Sequence, residues 1–108
     1  VIVPVTNTKP LSDLAEESTA IIYNLALSYL IDGFVSNCSK LLRTGAKFFD
    51  IVLAIRQRKN ESDKLSGEIL LDTAICNNLG WIHEEFCNYE KAREYFQHVS
   101  SRLITLTQ

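Results

Sequence analysis

The sequence predicts an all-α protein with four helices, arranged as two antiparallel helical hairpins that follow an extended N-terminal arm. Apolar residues recur at three- and four-residue spacing through most of the chain after residue 11. Glycine-containing or polar breaks at residues 33, 59–66 and 87–88 divide this pattern into four segments. The 108 residues, of which 46% are hydrophobic, are enough for one small domain of two to four packed helices.

The arm is predicted at residues 1–11. Its first five residues are mostly β-branched, and Pro4 and Pro10 disfavour helix around them. A lone strand is not stable by itself, so we expect an arm that leads into the first helix, with packing along a partner as the alternative. Since the chain begins at Val1 without a signal-peptide pattern, we expect a processed form or a fragment of a longer protein.

The first hairpin is predicted at residues 12–58. Its first helix is expected to start with Ser12 as N-cap and to end near Asp32, with Gly33 as the C′ residue. The predicted buried stripe of this helix is Leu14, Ile21, Leu25 and Tyr29. Further apolar residues on its other sides predict neighbours in more than one direction.

The second helix of this hairpin is predicted from Phe34 to Arg58, with Gly45 allowing close approach of another helix. Its predicted buried stripe is Phe34, Cys38, Leu41, Leu42, Phe49, Val52 and Leu53. The basic cluster at residues 56–59 is interpreted as a helix C-terminus whose cations complement the helix dipole. Binding of an acidic partner is the alternative.

A polar linker at residues 59–66 is predicted to lead into the second hairpin, residues 67–108. One helix spans Gly67 to Phe86 with Ser66 as its cap, and the next runs from Asn88 as N-cap to about Leu106. The predicted inward-facing residues are Leu71, Ile75, Leu79, Ile82 and Phe86, followed by Ala92, Phe96, Val99 and Leu103.

The two halves of the sequence match weakly at an offset of 54 residues. Ala20, Ile21, Asn24, Leu25, Gly33, Cys38 and Leu42 then align with Ala74, Ile75, Asn78, Leu79, Cys87, Ala92 and Phe96. Most of the aligned positions are small or apolar, as expected for a repeated helical hairpin.

The second half resembles the tetratricopeptide repeat (TPR). The resemblance rests on Cys76-x-x-Leu79-Gly80-x-x-His83 followed by Tyr89-x-x-Ala92-x-x-x-Phe96, and it covers residues 73–106. Cys76 and His83 stand where the repeat has Trp and Tyr, and the closing Pro is absent. The offset also exceeds the repeat's usual length of about 34 residues, so we expect a TPR-like fragment of an α-solenoid and not a regular array.

The resemblance implies a groove, lined by the first helix of each hairpin, that binds a partner protein. Carried over by position, its residues are Tyr23, Leu27, Leu30, Ile31, Asn77, Trp81, Glu84 and Glu85. An exposed Trp81 beside Glu84 and Glu85 would anchor a basic, partly apolar ligand. In the alternative, Trp81 packs against the first hairpin and the carboxylates are simply solvated.

No catalytic site is predicted, and no metal or cofactor. Cys76, His83 and Cys87 lie near one side of a helix, but a fourth ligand and a CxxC pair are missing. Cys87 with a histidine lacks an oxyanion loop, and adjacent Glu84 and Glu85 point about 100° apart. The chain is therefore predicted to be an adaptor or a structural subunit of a larger assembly. A four-helix bundle holding a metal or organic cofactor is the alternative.

The charge balance disfavours a nucleic-acid partner, because acidic residues outnumber basic ones by 13 to 11. Three cysteines cannot all pair within one chain, which favours a reducing, intracellular compartment. The longest apolar stretch, Ala20 to Ile31, is interrupted by polar residues and is shorter than the roughly 18–20 residues of a membrane span. No membrane span is therefore predicted.

Overall fold

The structure is a computed structural model that describes the backbone of residues 11–107 and the side chains of residues 16–60 and 62–107. This part of the chain contains no strand and four α-helices: α1 (Leu11–Val35), α2 (Ser39–Arg56), α3 (Ser66–Glu85) and α4 (Tyr89–Thr107). A 3-10 turn, Glu61–Asp63, lies between α2 and α3. The all-α class with four helices is confirmed.

The helices pack in the order of the chain. α1 packs on α2, α3 packs on α4, and α2 contacts α3, so two antiparallel hairpins lie side by side. Their Cα atoms extend 18 Å along the shortest axis, about two layers of helices. The predicted arm lies outside the described residues except for Leu11, the first residue of α1.

Three predicted helix starts are wrong: α2 begins at Ser39 and not at Phe34, and the other two differ by one or two residues. Ser12 lies inside α1, and Ser66 is the first residue of α3, so neither is an N-cap. The N-cap of α3 is Leu65, which forms no side-chain capping bond. The segment between the hairpins accordingly covers residues 57–65, not 59–66. The start of the last helix was predicted correctly, since α4 begins directly after Asn88.

The carboxyl end of α1 also differs from the prediction. Gly33 is not the C′ residue, because α1 continues through it to Val35 and Phe34 belongs to α1. Gly33 instead provides space for the neighbouring helix. A Cβ at Gly33 would lie 2.6 Å from the Leu42 Cδ2 atom, so the missing side chain allows Leu42 to pack directly on α1.

Gly45 was predicted to allow close helix approach, which the structure confirms, and Gly80 has the same role in the second hairpin. A Cβ at Gly45 in α2 would lie 3.3 Å from the carbonyl oxygen of Ala26 in α1. A Cβ at Gly80 in α3 would lie 2.6 Å from Cε1 of Phe96 in α4. Each hairpin is therefore held at close range by a glycine on one helix.

The core lies between the two hairpins and within each of them. Its buried apolar cluster consists of Ala26, Leu30, Leu42, Phe49, Val52, Ile75, Leu79 and Ile82. The predicted inward side of α3 is confirmed, since Ile75, Leu79 and Ile82 are fully buried and Leu71 and Phe86 pack against the cluster. Leu103 was predicted to face inward but is 47% exposed.

The predicted buried stripe of α1 is wrong. Ile21 and Leu25 are 68% and 42% exposed, and Tyr29 is only partly buried. The buried residues of α1 are Thr19, Ala26, Leu30 and Gly33. Because α1 is apolar on nearly every side, hydrophobic periodicity does not identify the side that packs on α2. Small residues identify it, since they permit the close approach.

The turn of the first hairpin closes α1 with a Schellman motif. The Cys38 N–H donates to the Gly33 carbonyl at 2.8 Å, and the Asn37 N–H donates to the Phe34 carbonyl at 3.3 Å. Asn37 takes the left-handed conformation, with φ 50°. Asparagine tolerates this region better than most non-glycine residues, because its short polar side chain bonds locally.

The turn of the second hairpin repeats this geometry. The Asn88 N–H donates to the His83 carbonyl at 2.8 Å, and the Cys87 N–H donates to the Glu84 carbonyl at 3.0 Å. Cys87 is the left-handed residue, with φ 62°. Each bonding atom of the first turn thus has its counterpart 50 residues later in the chain.

The hairpins are therefore related at an offset of 50 residues, and the sequence alignment at 54 is wrong by four. Burial is compatible with this register, since Thr19, Ala26 and Leu30 of α1 correspond to the buried Ile69, Cys76 and Gly80 of α3. A shift of four residues is close to one helical turn and leaves similar residue types aligned. That is why sequence similarity alone selected the wrong register.

Candidate interaction surface

Trp81 of α3 is an exposed aromatic residue at the junction of the two hairpins. Its side chain is 57% exposed, and its ring packs edge-on against Phe34 of α1 with 6.3 Å between ring centroids. Trp81 is therefore exposed and also packs against the first hairpin; its role as an anchor for a partner stays a prediction. The contact joins the carboxyl-terminal ends of α1 and α3.

Around this contact, α1 and α3 each present one side, since residues three or four apart in a helix are neighbours on its surface. We call this surface the odd-helix face. It consists of Leu27, Ile31, Phe34 and Val35 of α1 and of Asn77, Trp81, Glu84 and Glu85 of α3. Ile31 and Val35 are 54% and 81% exposed, so the face carries a large apolar area next to Trp81.

Six of the eight predicted binding residues lie on this face: Leu27, Ile31, Asn77, Trp81, Glu84 and Glu85. Tyr23 and Leu30 turn toward α2. Leu30 is part of the core and only 7% exposed, so it offers no surface to a partner. Tyr23 is half-buried, with its ring 5.9 Å from that of Phe49.

Phe34 and Val35 are members of the face that the sequence analysis missed. Phe34 was assigned to the interior of the second helix, because α1 was predicted to end at Asp32. The sequence feature that marks the true end of α1 is Asn37, since Asn is a common left-handed residue after a helix end. Gly33, four residues earlier, is the stronger sequence signal for a helix end and was chosen instead.

The charges around the apolar area are acidic. Glu84 and Glu85 at the end of α3 are exposed, and so is Asp32 beside Ile31 on α1. The Arg43 guanidinium is placed over the Phe86 ring, 5.2 Å from the ring centroid. An acidic rim around an aromatic and aliphatic area favours a basic, partly apolar ligand.

The basic cluster at residues 56–59 has acidic partners within this chain. Arg56 donates to the Asp72 carboxylate and, through Nη2, to the Glu68 carbonyl at 2.8 Å. Lys59 Nζ lies 3.0 Å from Glu68 Oε1. Both residues therefore connect the end of α2 to the start of α3.

The three residues considered for a metal site lie in different environments. Cys76 is buried and Cys87 is exposed, while the His83 ring stacks on Tyr95 with 5.6 Å between centroids. Burial, followed by the charge of Lys91, lowers the pKa of His83. Among the described residues, no three His, Cys, Asp or Glu side chains are placed to hold one metal ion.

A polar cleft of about 350 Å³ lies between α2 and α4, and the sequence analysis did not predict it. Its lining residues are Asp50, Leu53, Ala54, Gln57, Cys76, Lys91, Glu94, Tyr95, His98 and Arg102. The Tyr95 hydroxyl donates to Asp50 Oδ1 at 3.4 Å. Burial, with the charge and hydrogen bond of Asp50, raises the pKa of Tyr95 to about 12. The phenol is therefore a neutral donor near pH 7, linking α4 to α2.

One segment of the described chain, Glu16–Val35 in α1, is long and apolar enough to cross a membrane, with 22% of the tested window buried. No span was predicted from the sequence, because its longest apolar stretch is interrupted by polar residues and is too short. Core helices of soluble proteins have the same length and composition, so this property does not decide between the two environments.

Comparison of the chain with protein-family models, with curated proteins and with solved structures finds no match.

Proposed function

We propose that this chain is a TPR-like interaction module or structural subunit, without enzymatic activity, that binds a basic and partly apolar segment of a partner protein through the odd-helix face. The observation that carries the proposal is the exposed Trp81, held edge-on by Phe34 and bordered by exposed Ile31 and Val35. The acidic residues Glu84 and Glu85 give the face its preference for basic ligands.

Trp81 has the properties of a binding hot spot. Its ring is fixed by Phe34, so a partner that covers it loses little side-chain entropy in ordering it. Tryptophan at the centre of an interface typically contributes at least about 2 kcal/mol on truncation, which corresponds to roughly a 30-fold loss of affinity.

The TPR-like character of the module is supported by two features. The spacing of Leu79, Gly80, Ala92 and Phe96 resembles the repeat, and Gly80 receives the Phe96 ring as a small residue at a helix crossing should. The two hairpins also end their first helices with the same hydrogen-bonded turn, at a constant offset. These features support repeated stacking hairpins, with the first helix of each hairpin available for binding.

The test is affinity capture from the native source with the wild type and two variants, Trp81→Ala and the double variant Glu84→Lys, Glu85→Lys. Leu70→Ala is the matched control. Leu70 is 54% exposed and lies on the same side of α3, eleven residues before Trp81, or about 16 Å away.

We expect the control to retain a partner that both variants lose, with unchanged helicity by circular dichroism. For the captured partner, titration should show Trp81→Ala weakening binding by about 30-fold or more. Binding to wild type should also weaken as salt rises, because the acidic rim is exposed. Equal capture by wild type and Trp81→Ala would reject the odd-helix face as the binding surface.

A further inference from the structure

The outer side of the second hairpin carries an open groove of about 400 Å³ that faces away from the first hairpin. We call it the forward face. It is lined by Glu84, Tyr89, Ala92, Arg93, Phe96, Gln97 and Ser100. Tyr89 is 61% exposed, and Leu103, further along α4, is 47% exposed. No described segment of the chain closes this groove.

The counterpart of this groove on the first hairpin is occupied. At the offset of 50 residues fixed by the turns, Glu84, Arg93 and Ser100 correspond to Phe34, Arg43 and Asp50. Phe34 packs on Trp81, Arg43 lies over Phe86, and Asp50 accepts the Tyr95 hydroxyl. The same positions that hold the second hairpin on the first are therefore exposed on the second.

α1 carries the complementary side. Three residues of α3 that face the first hairpin, Ile75, Leu79 and Ile82, are completely buried. Their counterparts in α1 are Leu25, Tyr29 and Asp32. Of these, Leu25 is 42% exposed and Asp32 is exposed, since no hairpin precedes α1 within the described chain. Ile21, the counterpart of the packed Leu71, is 68% exposed.

We propose that the forward face binds the outer side of α1 from a second copy of this chain, so that copies stack head to tail as the second hairpin stacks on the first. This goes beyond the partner binding proposed above and uses other residues, apart from Glu84 and Asp32, which lie at the border of the two surfaces. A head-to-tail contact buries different surfaces on the two copies and leaves one of each free, so it extends beyond a dimer.

The residues at the new junction are chemically compatible. At the junction between copies, Leu106 takes the position of Arg56, and Ile22 takes the position of Asp72. An apolar pair therefore replaces the ion pair that joins the two hairpins within one chain. Arg93 takes the position of Arg43 and reaches the carboxyl end of the neighbouring α1. There it meets the negative end of the helix dipole and the carboxylate of Asp32, one turn earlier.

A second copy fits this groove better than an unrelated helix because the chain contains both halves of the junction. Within the described residues, no helix packs on the forward face, and no hairpin packs on the outer side of α1. Both carry exposed large apolar residues, Tyr89 and Leu103 on one side and Ile21 and Leu25 on the other. One contact covers both sets and places Arg93 opposite an acidic residue.

The test is sedimentation velocity of the full chain from micromolar to near-millimolar concentration, with two variants that each block one surface. Leu25→Glu places a carboxylate on the outer side of α1 and leaves the forward face intact. Arg93→Glu alters the forward face and leaves α1 intact. Wild type is expected to reach masses above twice the monomer, and each variant alone is expected to stay monomeric, with its association constant lowered at least about tenfold.

The decisive sample is an equimolar mixture of the two variants. Each contributes its intact surface, so the mixture is expected to form a heterodimer that grows no further. Two results separate this proposal from the proposed function. Trp81→Ala should assemble like wild type, and Leu25→Glu should still capture the partner of the odd-helix face. Monomeric wild type, assembly that stops at a symmetric dimer, or a mixture that stays monomeric would each overturn it. Flotation of wild type but not Leu25→Glu with phosphatidylcholine vesicles would also overturn it, by assigning the α1 surface to a membrane.

Discussion

Arg56, the last residue of α2, donates a hydrogen bond to the carboxylate of Asp72, which is completely buried in α3. Lys64 of the linker donates to the other carboxylate oxygen at 2.6 Å, and its side chain is 3% exposed. One carboxylate thus connects α2, the linker and α3. A buried charge is tolerated here because two cations surround it with hydrogen bonds.

Removing this carboxylate is expected to destabilise the junction strongly. Asp72→Ala removes the carboxylate that accepts from Arg56 and Lys64, while both cationic side chains remain largely buried. We expect the free energy of unfolding to fall by about 3–5 kcal/mol, as for other buried ion pairs that lose one partner. Urea denaturation followed by circular dichroism measures the change.

Two comparisons show whether the charge or the side-chain volume is responsible. Asp63→Ala removes an exposed carboxylate from the same linker region and is expected to change stability by less than about 0.5 kcal/mol. Asp72→Asn keeps the shape and one acceptor, so its loss should lie between the two. A loss below about 1 kcal/mol for Asp72→Ala would show that water replaces the carboxylate at little cost.

Two glycines of α3 are expected to respond in opposite directions to the same substitution. Gly80→Ala places a methyl group 2.6 Å from the Phe96 ring and should lower stability by about 1–3 kcal/mol through overpacking. Gly67→Ala meets no atom within 4 Å and should raise stability by up to about 1 kcal/mol through helix propensity.

Thermal and urea unfolding of both variants measure this difference within one helix. Gly80→Ala combined with Phe96→Leu should recover part of the loss, because a smaller side chain at residue 96 admits the methyl group. Stabilisation by both alanines would mean that the Phe96 ring moves aside freely, and the close approach of α3 and α4 would then not depend on Gly80.

The number of helices was predicted correctly from the sequence, whereas the buried side was identified for α3 but not for α1. In α3 the stripe chosen at helical spacing coincides with the buried side, since Ile75, Leu79 and Ile82 are completely buried. In α1 the apolar residues surround the helix, so the same method chose Ile21 and Leu25, which are exposed. The side of α1 that contacts α2 is determined by small residues, and a pattern of hydrophobic residues does not detect these.

The candidate surface was predicted in part for the same reason. Trp81, Glu84 and Glu85 are exposed, as a binding surface requires, and their part in binding stays a prediction. Leu30 was misplaced because α1 gave no usable pattern, and Phe34 because Gly33 imitates a helix end. The polar cleft was not predictable, since its lining comes from three helices whose relative positions no local pattern encodes.

Replacing Cys87 with glycine is expected to stabilise the folded protein. Cys87 occupies the C′ position of the second turn with φ 62°, a conformation that costs most L-residues about 1–2 kcal/mol and glycine almost nothing. Cys87→Gly should therefore raise the free energy of unfolding by about 1 kcal/mol. Its side chain is exposed, so little packing is lost.

Asn37→Gly is the matched comparison in the first turn. Asparagine already tolerates φ 50°, so we expect a smaller gain there than at Cys87. The thermal midpoints of the two variants, measured at the same pH with a reducing agent, give the comparison. A loss of stability in Cys87→Gly would show that the thiol, which accepts a hydrogen bond from Tyr89 at 3.5 Å, contributes more than the backbone strain.

The stability of the folded chain is expected to decrease as the pH falls below about 6.5. His83 is stacked on Tyr95, and burial lowers its pKa from the ordinary value of 6.5. The unfolded chain therefore binds the proton more tightly, and protonation favours unfolding. The contribution of neutral His83 is complete above pH 6.5 and is lost as the pH falls through the lowered pKa.

The substitution that tests this is His83→Phe, which preserves the stacked ring and removes the titrating group. Free energies of unfolding measured by urea between pH 7.5 and pH 5.5 should fall more steeply for wild type than for the variant, with most carboxylates still ionised in this window. His98→Phe, at an exposed site on α4, is the control for replacing a histidine with phenylalanine. Parallel pH profiles for wild type and His83→Phe would show that the stacked imidazole gains its proton in the folded chain as easily as in the unfolded one.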